Sequence, residues 1–311
     1  MGLAPYGKPR YKDIILKELI DLKDDGSFRL NMNYFNYATG LTMTNKNFSK
    51  LFGKNARNPE NELLTQFHMD IASSIQAVTE EIVLKLATSI SKETNIKNLC
   101  MAGGVALNCV ANGKILKKNI FKNIWFQPAA GDAGGSLGAA LAFWYNELGN
   151  KRKVVNNADE MKGSYLGPSF SDNEIENTLK KLGAKYERKN EDNLINTIAN
   201  ELKDKKTVGW FQGRMEFGPR ALGARSILGD PRSENMQKNL NLKVKFRESF
   251  RPFAPSVLRE DVHDWFELNC DSPYMLLVSE VKKGLQIPMA EKDKKLFGID
   301  KLNVKRSSIP A

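Results

Sequence analysis

Histidine is nearly absent from this 311-residue chain: His68 and His263 are the only two, and neither sits in an HxxH or HExxH spacing. Cysteine is almost as scarce, with Cys100, Cys109 and Cys270 scattered singly. Cys/His zinc chemistry and a disulfide framework are thereby excluded, and three isolated thiols suit a reducing cytoplasm. Long apolar runs are missing as well. No stretch approaches the roughly 20 residues that cross a bilayer, and residues 1–8 lack the apolar core of a secretory leader. Tyr6 stands where an N-myristoylation motif places Ser or Thr. No internal repeat is visible. The mix of 41% apolar and 27% charged residues is that of a globular chain, not a disordered or fibrous one. The length suits about two domains.

What is abundant is positive charge. Lys and Arg number 47 against 36 acidic residues, a net +11. Such an excess fits nucleic acid or phosphorylated small molecules, and equally a Lys-rich solvated surface. The lysine runs at 151–153, 203–206 and 292–295 read as surface. The arginines are placed differently: residues 210–251 hold six Arg and three Lys against four acidic residues.

The pattern predicts a Gly/Pro loop over the first ten residues, then a short helix through Ile14, Ile15, Leu19, Ile20 and Leu22, ended by a turn at Asp24-Asp25-Gly26. The strongest periodicity runs over 59–93. Leu64, Phe67, Ile71, Ile75, Val78, Ile82, Leu86 and Ile90 recur every three or four residues as one face of a long helix, with Pro59 in its first turn. His68 falls one residue off that stripe and reads as surface or boundary packing. Strand 96–102 runs into Gly103-Gly104 and a helix to about Lys118. Strand 123–127 runs into Gly131-Asp132-Ala133-Gly134-Gly135 and a small-residue helix. Strand, Gly loop, helix, twice over, argues for an α/β fold. Residues 150–162 are polar and unpatterned, so one domain is expected over 1–155 and a second over 156–311. The second should hold helices at 172–182 and 192–202 and strands at 184–188 and 208–211.

Each Gly loop ends a strand and opens a helix whose free N–H groups can meet an anion, or it is simply a tight turn. Asp132 could ligate a hard cation beside phosphate, or cap its helix. Arg214, Arg220 and Arg225 share a glycine-rich segment, and their planar forks match phosphate or carboxylate oxygens; exposed loop arginines are the plainer reading. Lys243, Lys245 and Arg247 would share one face of an extended strand, with Arg251 following; a charged edge strand is the alternative. Cys109 has no His near it in sequence, so a nucleophilic thiol is not expected.

Five blocks carry a resemblance: MGLAPYGKP at 1–9, MAGGVALNCVANGKI at 101–115, PAAGDAGGSLGAAL at 128–141, GRMEFGPRALGARSILGDPR at 213–232 and KVKFRESFRPFAPSVL at 243–258. Together they resemble the O-carbamoyltransferases of the nodulation protein U type. The resemblance implies part of an actin-like, sugar-kinase-like ATPase-fold module followed by part of a YrdC-like α/β module. It implies that carbamoyl phosphate and ATP yield carbamoyl adenylate and pyrophosphate, and that a hydroxyl of a small-molecule acceptor, usually a sugar, then takes the carbamoyl group. By the same resemblance Gly103, Gly104 and Asn108 contact nucleotide, as would Gly131, Gly134, Gly135, Arg225 and Arg251. Asp132 is a ligand of a divalent metal, typically iron. Lys245 and Arg247 form a Lys-x-Arg pair at the carbamoyl phosphate, with Arg214 and Arg220 lining that pocket. Family members begin well upstream of the MGLAPYG block, where two further metal-binding histidines lie, and continue past residues 309–311, so the chain is expected to be an internal piece. Two other readings stay open: a tRNA threonylcarbamoylation-type enzyme, which uses related modules, and a basic nucleic-acid-binding protein. Against the latter, no aromatic-basic RNA motif or recognition helix appears.

Overall fold

Alternation decides the first elements. Ile20 and Leu22 flank Asp21, so the segment pairs as a strand once the chain can turn back. A helical turn, Lys12–Ile14, widens through Ile15–Leu19 and passes into strand β1 (Ile20–Leu22). β1 pairs antiparallel with β2 (Phe28–Leu30). Asp25 makes the turn between them by accepting from the Ser27 N–H and hydroxyl at 2.9 and 2.7 Å. The helix expected through Leu22 is therefore too long, because the hairpin takes its last residues. A computed structural model describes residues 1–153 and 159–308. The domain boundary expected at 155/156 lies outside the described residues, as do residues 309–311.

The described chain forms two compact units. The first comprises Met1–Leu99, Val110–Asn123 and Pro288–Lys305. In it α1 (Lys46–Phe52) is capped by the Asn45 side chain, and the long helix α2 (Gln66–Thr94) is its spine. α2 starts at Gln66, not near Pro59, because Thr65 and His68 close a reciprocal cap: the Thr65 N–H donates to His68 Nδ1 at 3.0 Å. Burial, with Arg57 and Lys54 nearby, holds His68 below the ordinary imidazole pKa, which suits a neutral ring accepting at Nδ1. Val78 and Ile82 pack with Ile15, Leu19 and Ile20 as the core. Ile75, Leu86 and Ile90, expected on the buried stripe, are instead 47%, 42% and 50% exposed. Part of the buried face is polar. The Asp70 carboxylate accepts from the Lys8 N–H at 2.8 Å and the Gln66 amide at 2.7 Å, and pairs with Arg10 at 3.3 Å. Ser74 Oγ accepts from the Tyr11 N–H at 2.9 Å. The backbone of the N-terminal loop covers this face, and backbone needs polar partners, so apolar periodicity alone misplaces it.

The second unit comprises Cys100–Cys109, Ile124–Ile287 and the residues from Arg306. Strands β3 (Asn98–Met101) and β4 (Asn123–Phe126), whose first residues lie in the first unit, pair with each other. Both lead into the expected Gly loops and helices: α3 (Cys109–Lys118), which from Val110 on belongs to the first unit, and α4 (Ala133–Ala142). Helices α5 (Asp172–Lys181) and α6 (Glu191–Lys203) follow, capped by Ser171 and Asn190. β5 (Val208–Phe211) pairs antiparallel with β6 (Arg225–Leu228). Phe126, Met161, Tyr274 and Leu276 form the core, with Met101, Leu107, Phe217 and Leu222 against it. Two expected strands do not form. Residues 184–188 lie along α5 instead, where the Tyr186 hydroxyl reaches Glu176 at 3.1 Å and Arg188 pairs with Asp172 at 3.2 Å. Residues 240–247 coil as a wide helical turn, Leu240–Val244, leaving Lys245 helical and Phe246 left-handed (φ 46°). Lys243, Lys245 and Arg247 therefore do not share a strand face, because buried Leu240 and Asn241 draw the chain inward. The fold is mixed α/β, as expected. Among the described residues every sheet is two-stranded, and no helix is long and apolar enough to cross a membrane.

Candidate functional site

Strand pairing sets the two Gly loops side by side in the second unit. The Gln127 N–H donates to the Met101 carbonyl at 3.0 Å, and beyond it the Gly103 N–H donates to the Ala130 carbonyl at 2.8 Å. Gly103 has φ 92°, a conformation that side chains other than glycine resist. No heavy atom lies within 4 Å of where a Cβ on Gly103, Gly104 or Gly135 would sit, so the surface there is open. Gly131 is nearly as free, with Leu107 at 3.9 Å. Gly134 differs: its Cβ would meet the Ala129 carbonyl at 2.0 Å, so that glycine serves the turn. Asn108 is half-buried at the end of the first loop, its N–H on the Val105 carbonyl at 2.9 Å.

Asp132 precedes α4, but its side chain makes no capping hydrogen bond and is exposed. Among the described residues no group of three or more His, Cys, Asp or Glu side chains could hold a metal ion. One exposed carboxylate does not complete an iron centre by itself, since such a centre needs several converging ligands, and the two histidines that the resemblance implies are not among these 311 residues. Asp132→Asn is therefore expected to leave the iron content of the desalted 311-residue chain unchanged and substoichiometric. Elemental analysis of the two proteins tests this.

The arginine segment folds onto the Gly loops within the same unit. A Cβ on Gly218 would touch Ala129 at 3.3 Å, and Arg220 Nη2 donates to the Leu107 carbonyl at 3.2 Å. The organiser is Glu216, a residue the sequence reading passed over. Its Oε1 accepts from the N–H groups of Leu222, Ala224 and Arg225 at 2.6, 2.8 and 3.4 Å. Its Oε2 pairs with Arg225 Nε at 3.2 Å, with the Glu216 side chain fully buried. Arg225 Nη2 in turn donates to the Gly218 and Arg220 carbonyls at 2.7 and 3.4 Å. Arg225 is thus a clamp on the loop that carries Arg220. Arg214 is exposed and donates to the Gly167 carbonyl at 2.8 Å.

The third expected cluster is built separately. Arg247 Nε donates to Asn241 Oδ1 at 2.7 Å, and its guanidinium lies 4.9 Å above the Phe253 ring. Lys245 and Arg251 are exposed, and Arg251 pairs with Glu248 at 3.1 Å. Burial, with Arg251 nearby, pulls the pKa of Arg247 below the ordinary guanidinium value. A cavity of about 910 Å³ opens in the first unit beside α2, but it is a poor candidate site. Charges in its wall neutralise one another: Lys114 pairs with Glu80, and Lys12 with Glu81 at 2.8 Å.

Comparison with known proteins matches these blocks. The family model described as carbamoyltransferase N-terminus covers residues 1–141, and that described as carbamoyltransferase C-terminus covers residues 199–299. The chain belongs to the carbamoyltransferase family. An uncharacterized protein of Synechocystis sp. is 59% identical over the whole chain, which spans 51% of that relative. Nodulation protein NolNO of Sinorhizobium fredii is 39% identical over 91% of the chain and 40% of its own length. Nodulation protein NolO of Bradyrhizobium diazoefficiens is 37% identical over 91% of the chain and 50% of its own length. The chain thus spans about half the length, or less, of these relatives. In carbamoyltransferase terms, the Gly loops at Gly103 and Gly131 lie in the N-terminal match, and the Glu216 loop and the Arg247 cluster lie in the C-terminal match.

Proposed function

We propose that this chain is the donor-handling part of a carbamoyltransferase, and that it belongs to an actin-like ATPase module joined to a YrdC-like one. Carbamoyl phosphate and ATP are converted to carbamoyl adenylate, pyrophosphate leaving from ATP. The carbamoyl group then passes to a hydroxyl of a small-molecule acceptor such as a sugar. Arg247 carries this reading. Its Nε and one face of its guanidinium are occupied by Asn241 and Phe253, while its Nη groups have no hydrogen-bond partner among the described residues. A guanidinium held in that way is a fork for phosphate oxygens. Lys245, exposed two residues away, adds a second cation. Gly103, Gly104 and Gly135 offer open backbone for the nucleotide, next to Arg220.

The test uses a polypeptide of the relatives' full length. Lys245→Ala or Arg247→Ala is expected to lower carbamoyl-phosphate-dependent ATP–pyrophosphate exchange by about 10²–10³-fold, the usual cost of losing one charge-stabilising contact. The melting temperature should stay unchanged in Lys245→Ala and fall modestly in Arg247→Ala, which leaves the buried Asn241 Oδ1 without its donor. Exchange at the wild-type rate in either variant refutes the assignment.

A further inference from the structure

Asn241 is wholly buried and lies in no block expected to carry chemistry. Each end of its amide is used. Nδ2 donates to the carbonyls of Ser249 and Arg251 at 3.1 and 2.8 Å, and Oδ1 accepts from Arg247 Nε at 2.7 Å. Its backbone carbonyl accepts from the Arg247 N–H at 2.9 Å, across the left-handed turn at Phe246. One residue thus fixes Arg247 at both its main chain and its side chain. Phe253 covers a face of the guanidinium. Arg247 is half-buried, and among the described residues no carboxylate pairs with it within 4 Å; neighbouring Glu248 pairs with Arg251. A half-buried cation lacking a counterion, with Nε and one face already taken, keeps its Nη edge for an incoming anion.

We infer that Asn241 is a positioning residue that presets the Arg247 fork for a phosphate-type oxyanion. This rests on the reading of Arg247 given under Proposed function. Prior fixing of a long side chain removes the cost of ordering it when the anion arrives.

The experiment uses the 311-residue chain, with inorganic phosphate as the probe and side-chain nitrogen NMR as the readout. Arg247→Lys assigns the Arg247 Nε–H signal by its loss. Asn241→Ala should speed exchange of that proton and weaken phosphate binding about tenfold. Asn241→Asp keeps the acceptor and should keep the Nε–H signal protected. Gln237→Ala is the control: Gln237 supports the same loop through the Arg251 carbonyl at 3.1 Å without touching Arg247, so its loss should change binding by less than about twofold. Wild-type phosphate affinity in Asn241→Ala, with loss in Arg247→Lys, overturns the positioning role and leaves Arg247 as the anion site. Unchanged affinity in Arg247→Lys overturns both. Equal weakening in Gln237→Ala and Asn241→Ala reduces Asn241 to a general buttress and also overturns the proposal. If Asn241→Ala does not fold, loss of Nε–H protection in folded Asn241→Asp has the same consequence.

Discussion

Glu216→Ala is expected to destabilise the second unit by about 2–4 kcal/mol, the cost of leaving buried N–H groups without an acceptor and a half-buried arginine without its counterion. The substitution strips the N–H groups of Leu222, Ala224 and Arg225 of their shared acceptor, and strips Arg225 Nε of its counterion. Ala224 is itself buried, so water cannot fully replace the carboxylate. Glu216→Gln keeps one acceptor oxygen but turns an NH₂ toward Arg225, and should lose a smaller share. The effect also carries a pH signature. Burial by itself raises the pKa of Glu216, but hydrogen bonds from the backbone of Leu222, of Glu216 itself, of Ala224 and of Arg225 together outweigh it and leave the value below the ordinary 4.5. A depressed folded-state pKa stabilises the protein above the unfolded-state value, and that contribution disappears as pH falls through the folded-state value. Melting temperature should therefore show no Glu216-dependent change from neutral pH down to about 5, and fall below that in wild type more steeply than in Glu216→Gln. Melts of both proteins across that range check it. Parallel acid limbs would mean that the carboxylate does not organise the loop.

Much of this was legible in the sequence. Strand, Gly loop, helix, twice over, is what forms, because glycine and alternation act locally. Ser171 and Glu174 form a capping box at the start of α5, a local signal that the sequence also carries. The cap of α2 offered a similar signal, with His68 where Glu is usual, and the stronger apolar rhythm running back toward Pro59 hid it. What stayed hidden depends on contacts the sequence does not space regularly. Glu216 looks like a neutraliser of nearby arginines until the loop folds back and brings three N–H groups to one oxygen. Asn241 sits in an Asn-Leu-Asn-Leu alternation that reads as a strand as readily as a turn. Only burial of Leu240 and Asn241 decides for the turn, and it brings Arg247, not Lys243, under control.

The MGLAPYGKP block supplies the other large effect. Gly7→Ala is expected to destabilise the first unit by about 3 kcal/mol, the upper part of the range for overpacking a tight site. Gly7 has φ −110°, which alanine adopts freely, so conformational strain is not the cause. The cause is contact: a Cβ there would lie 2.0 Å from the Met69 carbonyl oxygen and 2.6 Å from the Asp70 nitrogen, both main-chain atoms of α2. A side chain could rotate aside, but a helix backbone cannot. The loop must lift instead, pulling on the Lys8 N–H bond to Asp70, the Arg10–Asp70 pair and the Tyr11 N–H bond to Ser74 together. Gly104→Ala is the contrast, since nothing lies within 4 Å of its added methyl and its φ is not positive. It should change stability by less than about 0.5 kcal/mol, as surface substitutions usually do. Thermal or urea unfolding of the two variants separates the cases. A Gly7→Ala protein melting with the wild type would show that the loop does not rest on α2 as described, and the block would then need a reason other than packing.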